Sequence, residues 1–245
     1  MKTLTEGNSN PKTAKSLPFG YLTASLSLAP HDLAGGGTIC PYSTPGCREV
    51  CIYEQGRGRM RRTKEARIAK TQRFLHDPIE FINRELVPDI ATLCRKAERL
   101  GVAPAVRLNC TSDIAWEKYR EHLMDDFGNV QFYDYTKNPY RVFKHFDGDK
   151  MPKNYHLTFS ASEENLDWSL TLLGLGCTVA LVTEQHYGVD SPLKHWYTHP
   201  TRDGDQHDLT FLHKPGSVLL LSPKGDAKKD ETGFVHRATH ESTLA

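Results

Sequence analysis

Three of the six cysteines lie within one short segment, CPYSTPGCREVC, which runs from Cys40 to Cys51. Two prolines and a glycine lie between the first two cysteines, so this segment cannot continue as a regular helix or strand. Cys47 and Cys51 are four residues apart and would share one face of a helix that begins near Cys47. The segment therefore predicts a loop that turns three thiolates towards one point.

Gathered thiolates bind a soft metal centre or form disulfides. Three close cysteines leave one thiol unpaired in any disulfide pattern, and three ligands leave one iron of a four-iron cluster open. No second pair of close cysteines follows, so the spacing is not that of a zinc ribbon. We predict a 4Fe–4S cluster on Cys40, Cys47 and Cys51, with zinc and structural or redox thiols as the alternatives. Cys94 and Cys177 lie in apolar segments and are interpreted as small buried side chains.

The chain of 245 residues can form one complete core and has about the length of one (β/α) barrel or two small domains. We interpret residues 1–15 as a loose N-terminal segment, 16–237 as a single α/β iron–sulfur domain and 238–245 as a tail. No window approaches the roughly 20 apolar residues that a membrane span needs, so we expect no membrane partner. Unpaired cysteines without a signal peptide indicate a cytoplasmic protein.

Six apolar runs, most of them separated by helical patterns, follow the N-terminal segment; they begin near Gly20, Ala105, Val130, Tyr155, Cys177 and Ser217. The segment IAWEKYREHLMDDFG is predicted to form an amphipathic helix, and a basic helix is predicted from about Arg61. Strands that alternate with helices are typical of a parallel sheet with crossover connections. We therefore predict an α/β fold, a complete or partial (β/α) barrel of about six mainly parallel strands, with the cysteine loop after strand one.

Active sites of such folds lie at the carboxyl ends of the strands, where the cysteine loop is also expected. Four residues at these ends could move protons or hold an anionic or ester substrate, and they are the predicted catalytic residues: Asp113, Asp134, Lys137 and Glu163. The alternative is that polar residues at strand ends only cap the helices that follow. Cys110, also at a strand end, is predicted as a fourth metal ligand or a reactive neighbour of the cluster, with a small side chain lining the barrel as the alternative.

The segment from Arg48 to Arg73 contains nine Lys and Arg against three Glu, although the formal net charge is only +1. It is interpreted as a solvated helix face or, through Arg57–Arg73, as a surface that binds nucleic acid. Few aromatic residues lie among these cations, which argues against stacking of single-stranded bases. Five histidines between His186 and His213 are interpreted as part of a solvated loop rather than as a second metal site.

Several segments together resemble one bacteriophage family, named for gene product 88: NPKTAKS, GYLTASLSLAP, the cysteine loop, VRLNCTSDIAWE, VQFYDYTKN, YHLTFSASEEN, DGDQHDLTFL and PKGDAKKDETGFVH. The resemblance covers nearly the whole chain, from about Asn10 to His236. It implies a phage origin, and hence the cytoplasm of an infected host cell, but no assigned chemistry. The position of Cys110 is usually glycine in that family, so the resemblance does not support Cys110 as a family-wide ligand.

The topology also resembles that of radical S-adenosylmethionine enzymes, which carry three cysteines in a loop after strand one of a partial barrel. Their usual spacing is x3 then x2, whereas this chain has x6 then x3 and no Gly-Gly-Glu after strand two. S-adenosylmethionine is therefore the less favoured cofactor. We expect an iron–sulfur enzyme that uses an open iron as a Lewis acid for hydrolysis or dehydration. The alternatives are a radical redox enzyme and a nonenzymatic nucleic-acid-binding module braced by the cluster.

Overall fold

The computed structural model describes residues 2–7, 15–120, 122–146 and 151–237. The strands are β1 (Thr5–Glu6), β2 (Tyr21–Ser25), β3 (Ala103–Arg107), β4 (Gln131–Thr136), β5 (Tyr155–Ser160), β6 (Val179–Val182), β7 (His195–Trp196), β8 (His199–Asp203) and β9 (Val218–Leu221). The helices are α1 (Pro45–Glu49), α2 (Arg61–His76), α3 (Pro78–Phe81), α4 (Val87–Leu100), α5 (Pro139–Phe146) and α6 (Leu166–Gly174). A π-helical segment, Ile82–Leu86, joins α3 to α4 just before Pro88.

These strands form one mostly parallel sheet in the order β1-β2-β3-β4-β5-β6-β9-β8-β7. The six apolar runs of the sequence correspond to β2 to β6 and β9, which lie side by side and run parallel in chain order. The α/β class is thus confirmed. Because the strands are parallel, the loops that follow them lie at one edge of the sheet.

The sheet is open, so the predicted barrel is not confirmed. Antiparallel β1 and β7, of two residues each, form its two borders and do not pair with each other within the described part of the chain. β8, which pairs parallel to β9, was predicted to be loop. A run of apolar residues predicts a buried strand, but it does not show whether the first and last strands of the sheet pair with each other. For this reason the apolar runs could not distinguish an open sheet from a closed barrel.

Side chains of successive strand residues point to opposite faces of the sheet. On one face, Phe132 and its neighbours pack with the helices in the main core. On the other face, which we call the inner face, Tyr133 packs with Leu209 and Phe211 of the chain that covers it.

The inner face also carries a buried ion pair that the sequence did not suggest. Arg107 Nη1 donates to both carboxylate oxygens of Asp208, at 2.8 and 2.9 Å, and its guanidinium lies 4.4 Å from the centre of the Tyr135 ring.

The predicted helix at IAWEKYREHLMDDFG is wrong, because the described residues of this segment form only two 3₁₀ turns, at Trp116–Lys118 and Asp125–Phe127. The Asn109 side chain accounts for the first departure. Its Oδ1 accepts from the Ile114 N–H at 3.0 Å and from Trp116 Nε1 at 3.1 Å. A side chain that bonds backbone groups in this way competes with a helix.

Part of the N-terminal segment predicted to be loose is ordered by contacts with the fold. Asp89 Oδ2 accepts from the backbone N–H groups of Thr3 and Leu4, which places β1 against β2. Residues 8–14 and the predicted tail, 238–245, lie outside the described residues. Within the described ranges, no helix has the length and apolar character needed to cross a bilayer.

Candidate functional site

The cysteine loop is built around α1, whose first turn receives two side-chain caps. Thr44 Oγ1 accepts from the Cys47 N–H at 3.2 Å, and Glu163 Oε1, from beyond β5, accepts from the Gly46 N–H at 2.7 Å. These bonds satisfy amides that a helix start otherwise leaves open. Because α1 ends at Glu49, Cys51 lies just beyond it rather than on a shared helical face.

Cys40 is anchored by the segments on either side of the loop. Its Sγ accepts from the His31 N–H at 3.5 Å, and the neighbouring Ile39 carbonyl accepts from the Asp113 N–H at 2.9 Å. His31 has φ 53°, in the left-handed region that non-glycine residues rarely adopt. The first cysteine is therefore fixed between the chain leaving β2 and the chain leaving β3.

The thiols of the loop affect one another electrostatically. Burial, together with the charges of Asp113, Cys51 and Cys47, raises the pKa of Cys40 to about 12, against the hydrogen bond from His31. Burial likewise raises the pKa of Cys51 to about 11, while the cations Lys137 and Arg67 act in the opposite direction. Thiolates at this position would therefore need a cationic partner.

The donor set fits a soft metal in its chemistry, because three half-buried thiols meet in one loop. Their side chains do not stand in ligand geometry: within the residues described, no group of three or more His, Cys, Asp or Glu is arranged to hold a metal ion. Ligation would thus require the thiols to turn towards a common centre.

Two of the predicted catalytic residues, Asp113 and Lys137, lie beside the loop. Asp113 accepts from Thr136 Oγ1 at 2.6 Å and from the Lys137 N–H at 2.9 Å, which ties the end of β4 to the segment after β3. Lys137 Nζ donates to Ser160 Oγ at 2.8 Å and lies 5.2 Å from the centre of the Phe234 ring. The ammonium group is therefore held at the carboxyl ends of β4 and β5.

Glu163 also lies at this edge, where one of its oxygens caps α1. Its second oxygen, Oε2, is buried and has no hydrogen-bond partner among the residues described. The structure thus brings Asp113, Lys137 and Glu163 to the cysteine loop.

Asp134 lies elsewhere, on the helix-facing side of β4, where it is fully buried. Its carboxylate accepts from the Asn109 N–H at 2.6 Å and from Tyr155 Oη at 2.7 Å. Tyr155 Oη in turn accepts from Arg141 Nη2 at 3.0 Å. Asp134 is therefore part of a buried network behind Asp113 and does not line the mouth.

Cys110 is not drawn into the loop either. Its backbone N–H donates to the Leu26 carbonyl at 3.2 Å, and the charge of its thiol acts on Arg107 and Tyr133 of the inner face. A role as fourth ligand stays a prediction.

Most cations of the basic stretch are already engaged. Ion pairs or hydrogen bonds join Arg59 to Asp226, Arg61 to Glu65, Lys64 to Glu54, Arg67 to the Tyr53 carbonyl and Arg73 to Glu85. Arg57 and Arg62 have no ion pair with another described residue. This pairing weakens the case for nucleic-acid binding through Arg57–Arg73.

The sequence analysis missed the contribution of the last segment of the fold. Val235 packs with Val50 of the cysteine loop and with Ala227, while Phe234 lies beside Lys137. The apolar pair in GFVH, next to a glycine, was the available signal. It gave no indication of which part of the chain it would cover.

Comparison with protein families gives a match over nearly the whole chain. The sequence model of the family described as gene product 88 matches residues 2–238. The chain belongs to the phage gene product 88 family. The match extends from the segment before β1 past His236, so this gene product 88 protein carries the family's sequence through the whole described fold. Comparison with curated proteins and with solved structures gives no match.

Proposed function

We propose that this gene product 88 protein is an iron–sulfur enzyme in which Cys40, Cys47 and Cys51 hold a 4Fe–4S cluster with one iron open to substrate. The observation that carries the proposal is the meeting of three thiols with Asp113 and Lys137 at the carboxyl edge of parallel strands. When bound, such an iron would supply Lewis-acid activation of a substrate oxygen or of water. The proposed reaction is hydrolysis or dehydration of a small anionic or ester substrate.

The protein's own groups would bind and orient that substrate. Lys137 Nζ, which contacts Ser160 and Phe234, would bind an anionic oxygen of the substrate. Asp113 fixes the backbone of Lys137 and so fixes the direction from which the ammonium group approaches. Glu163 Oε2, which has no hydrogen-bond partner among the described residues, would accept or return a proton.

The cluster is tested by anaerobic reconstitution followed by iron and sulfide analysis and EPR. Cys47→Ser is expected to lose most bound iron, whereas Cys177→Ser, at a buried thiol away from the loop, is expected to retain it. Full iron occupancy in Cys47→Ser would rule out the assignment. Lys137→Ala should keep the visible absorption of the cluster and lose most turnover of activated esters.

A second candidate is a radical redox enzyme that uses S-adenosylmethionine. The observation in its favour is the arrangement of β2 to β6 and β9, six parallel strands in chain order, with the cysteine loop after the first of them. Reductive cleavage of S-adenosylmethionine by the reconstituted, reduced protein would support this candidate over hydrolysis.

A further inference from the structure

A groove of about 960 Å³ runs beside α5, and one residue of the cysteine loop, Tyr42, belongs to its lining. Its lining includes Tyr42, Lys118, Tyr140, Arg141, Lys144 and Lys153, and we call it the α5 groove. This volume is near the upper limit of about 1,000 Å³ for pockets that enclose a small ligand. Its size suits a segment of a larger molecule.

The charges of the α5 groove favour an anionic occupant. Arg141, at its base, is neutralised by Glu117, whose two oxygens accept from the guanidinium at 2.9 Å each. Lys118, Lys144 and Lys153 are exposed and have no ion pair with another described residue, while Asp125 is the one further carboxylate in the described lining. Among the described residues of the lining, three lysines are therefore exposed to solvent with little opposing charge.

Aromatic rings lie among these lysines. Tyr42 is 39% exposed and Tyr140 is 59% exposed, so each ring presents apolar surface to solvent. Tyr140 is held edge-on against Trp168, with 5.5 Å between ring centres, which fixes its orientation. Rings that are exposed yet oriented, beside free ammonium groups, form the surface on which unpaired bases stack.

We propose that the α5 groove binds single-stranded nucleic acid, with phosphates on Lys118, Lys144 and Lys153 and a base stacked on Tyr140. An acidic peptide would use the lysines but would leave the rings uncovered. A duplex would present phosphates while keeping its bases paired. The proposal is independent of the cluster and involves a different surface from the basic helix α2.

The test is fluorescence anisotropy of labelled oligo(dT) and oligo(U) with the full-length protein, alongside a duplex and poly-glutamate. Single strands should bind more tightly than either competitor, and the two oligonucleotides distinguish DNA from RNA as the ligand. Three phosphate contacts predict a slope of about −2 for log affinity against log salt. Trp168 is the one exposed tryptophan of the three, so its fluorescence should be quenched on binding.

Two variants separate stacking from charge. Tyr140→Leu should weaken single-strand binding by at least about fivefold and leave the salt slope unchanged. Lys144→Gln should reduce the slope by about 0.7, whereas Arg62→Gln, the matched loss of a cation on α2, should change neither affinity nor slope.

The side chains of Tyr140, Lys144 and Arg62 are exposed, so circular dichroism should show all three variants folded as the wild type. Binding of poly-glutamate as tight as that of single strands would overturn the proposal in favour of an acidic peptide. Wild-type affinity of Tyr140→Leu for single strands would overturn the stacking on which the proposal rests. Absence of single-strand binding at low salt would overturn it outright.

Discussion

Gly46 shows how closely single residues determine the shape of the cysteine loop. A Cβ atom at this position would collide with Thr232 Oγ1 and would lie 2.8 Å from Glu163 Oε1. The backbone of α1 therefore lies directly against the side chain that caps it and against the last segment of the fold. Only a residue without a side chain permits this approach.

Gly46→Ala is expected to destabilise the protein by about 1–3 kcal/mol, because the added methyl group must displace either the cap or the last segment. The control is Gly174→Ala, since Gly174 is an exposed residue at the end of α6 and a methyl group added there would have no neighbour within 4 Å. The control should be neutral or stabilise by up to about 1 kcal/mol. Urea denaturation measures both, and equal effects would contradict the close packing of α1.

Asp134 makes the stability of the fold depend on pH. Burial raises its pKa to about 7, although hydrogen bonds from Tyr155 and Asn109 favour the charged form. Between about pH 4 and pH 7 the folded protein therefore holds a proton that the unfolded chain releases. The resulting stabilisation is fully present below the unfolded pKa and is lost as the pH rises through about 7.

Asp134→Asn should remove this dependence, so that the variant gains stability relative to the wild type as the pH rises from 4 to 7. His213 has the opposite effect on the pH dependence of stability. Burial lowers its pKa to about 4, so the stability that the neutral imidazole contributes is present near neutral pH and is lost as the pH falls. The free energy of unfolding of His213→Gln should therefore rise relative to that of the wild type as the pH falls. Denaturation at a series of pH values across this range measures how the free energy of unfolding of each variant changes with pH. If it changes in parallel for Asp134→Asn and the wild type, the raised pKa of Asp134 is refuted.

At the scale of elements, the cysteine loop can loosen without loss of the sheet. It is attached through the Glu163 cap, the contacts of Cys40 with His31 and the packing of Val50. The parallel strands are instead joined to one another and to the helices through the main core, in which the loop takes little part. A bound metal would therefore stabilise the loop locally.

We expect removal of the metal by a chelator to increase amide hydrogen exchange in residues 38–62 and to leave β4 protected. Hydrogen exchange with mass spectrometry on metal-loaded and metal-free protein measures this directly. Increased exchange in residues 130–135 as well would mean that the metal supports the whole fold.

The sequence predicted those elements whose signal lies within one segment of the chain, and it missed features that depend on contacts outside that segment. The six central strands were found because each is a short apolar run buried on both faces. The helix after β3 was predicted wrongly because its apolar period is overridden by the Asn109 side chain, which bonds Ile114 and Trp116. The Arg107–Asp208 pair joins residues far apart in the chain, so no local pattern could indicate it.

The same distinction applies to the candidate site. The three cysteines were found through their spacing, and Lys137 through its place at a strand end. Asp134 lies within β4 and points to the helix-facing side, which its position two residues after the core residue Phe132 in the alternation of the strand could have indicated.

At the scale of the whole molecule, the site depends on two parts of the chain that are distant in sequence. The segment after β9 returns across the carboxyl edge of the sheet, where Asp230 accepts from the Val235 N–H at 2.8 Å and His236 pairs with Thr183. It thereby places Phe234 beside Lys137 and Val235 against Val50. The loop that follows the first parallel strand is thus covered by the end of the described fold.

Truncation after Lys229 should therefore loosen the cysteine loop while the sheet persists. The expected result is faster hydrogen exchange in residues 44–51 and lower iron retention after reconstitution, because both Val50 and the neighbourhood of Lys137 lose their cover. Truncation after Arg237 is the matched control, since it keeps every contact described for this segment and should behave as the full chain. Far-UV circular dichroism should be similar for both proteins. Unchanged exchange in residues 44–51 of the shorter protein would show that the loop holds its shape without the end of the chain.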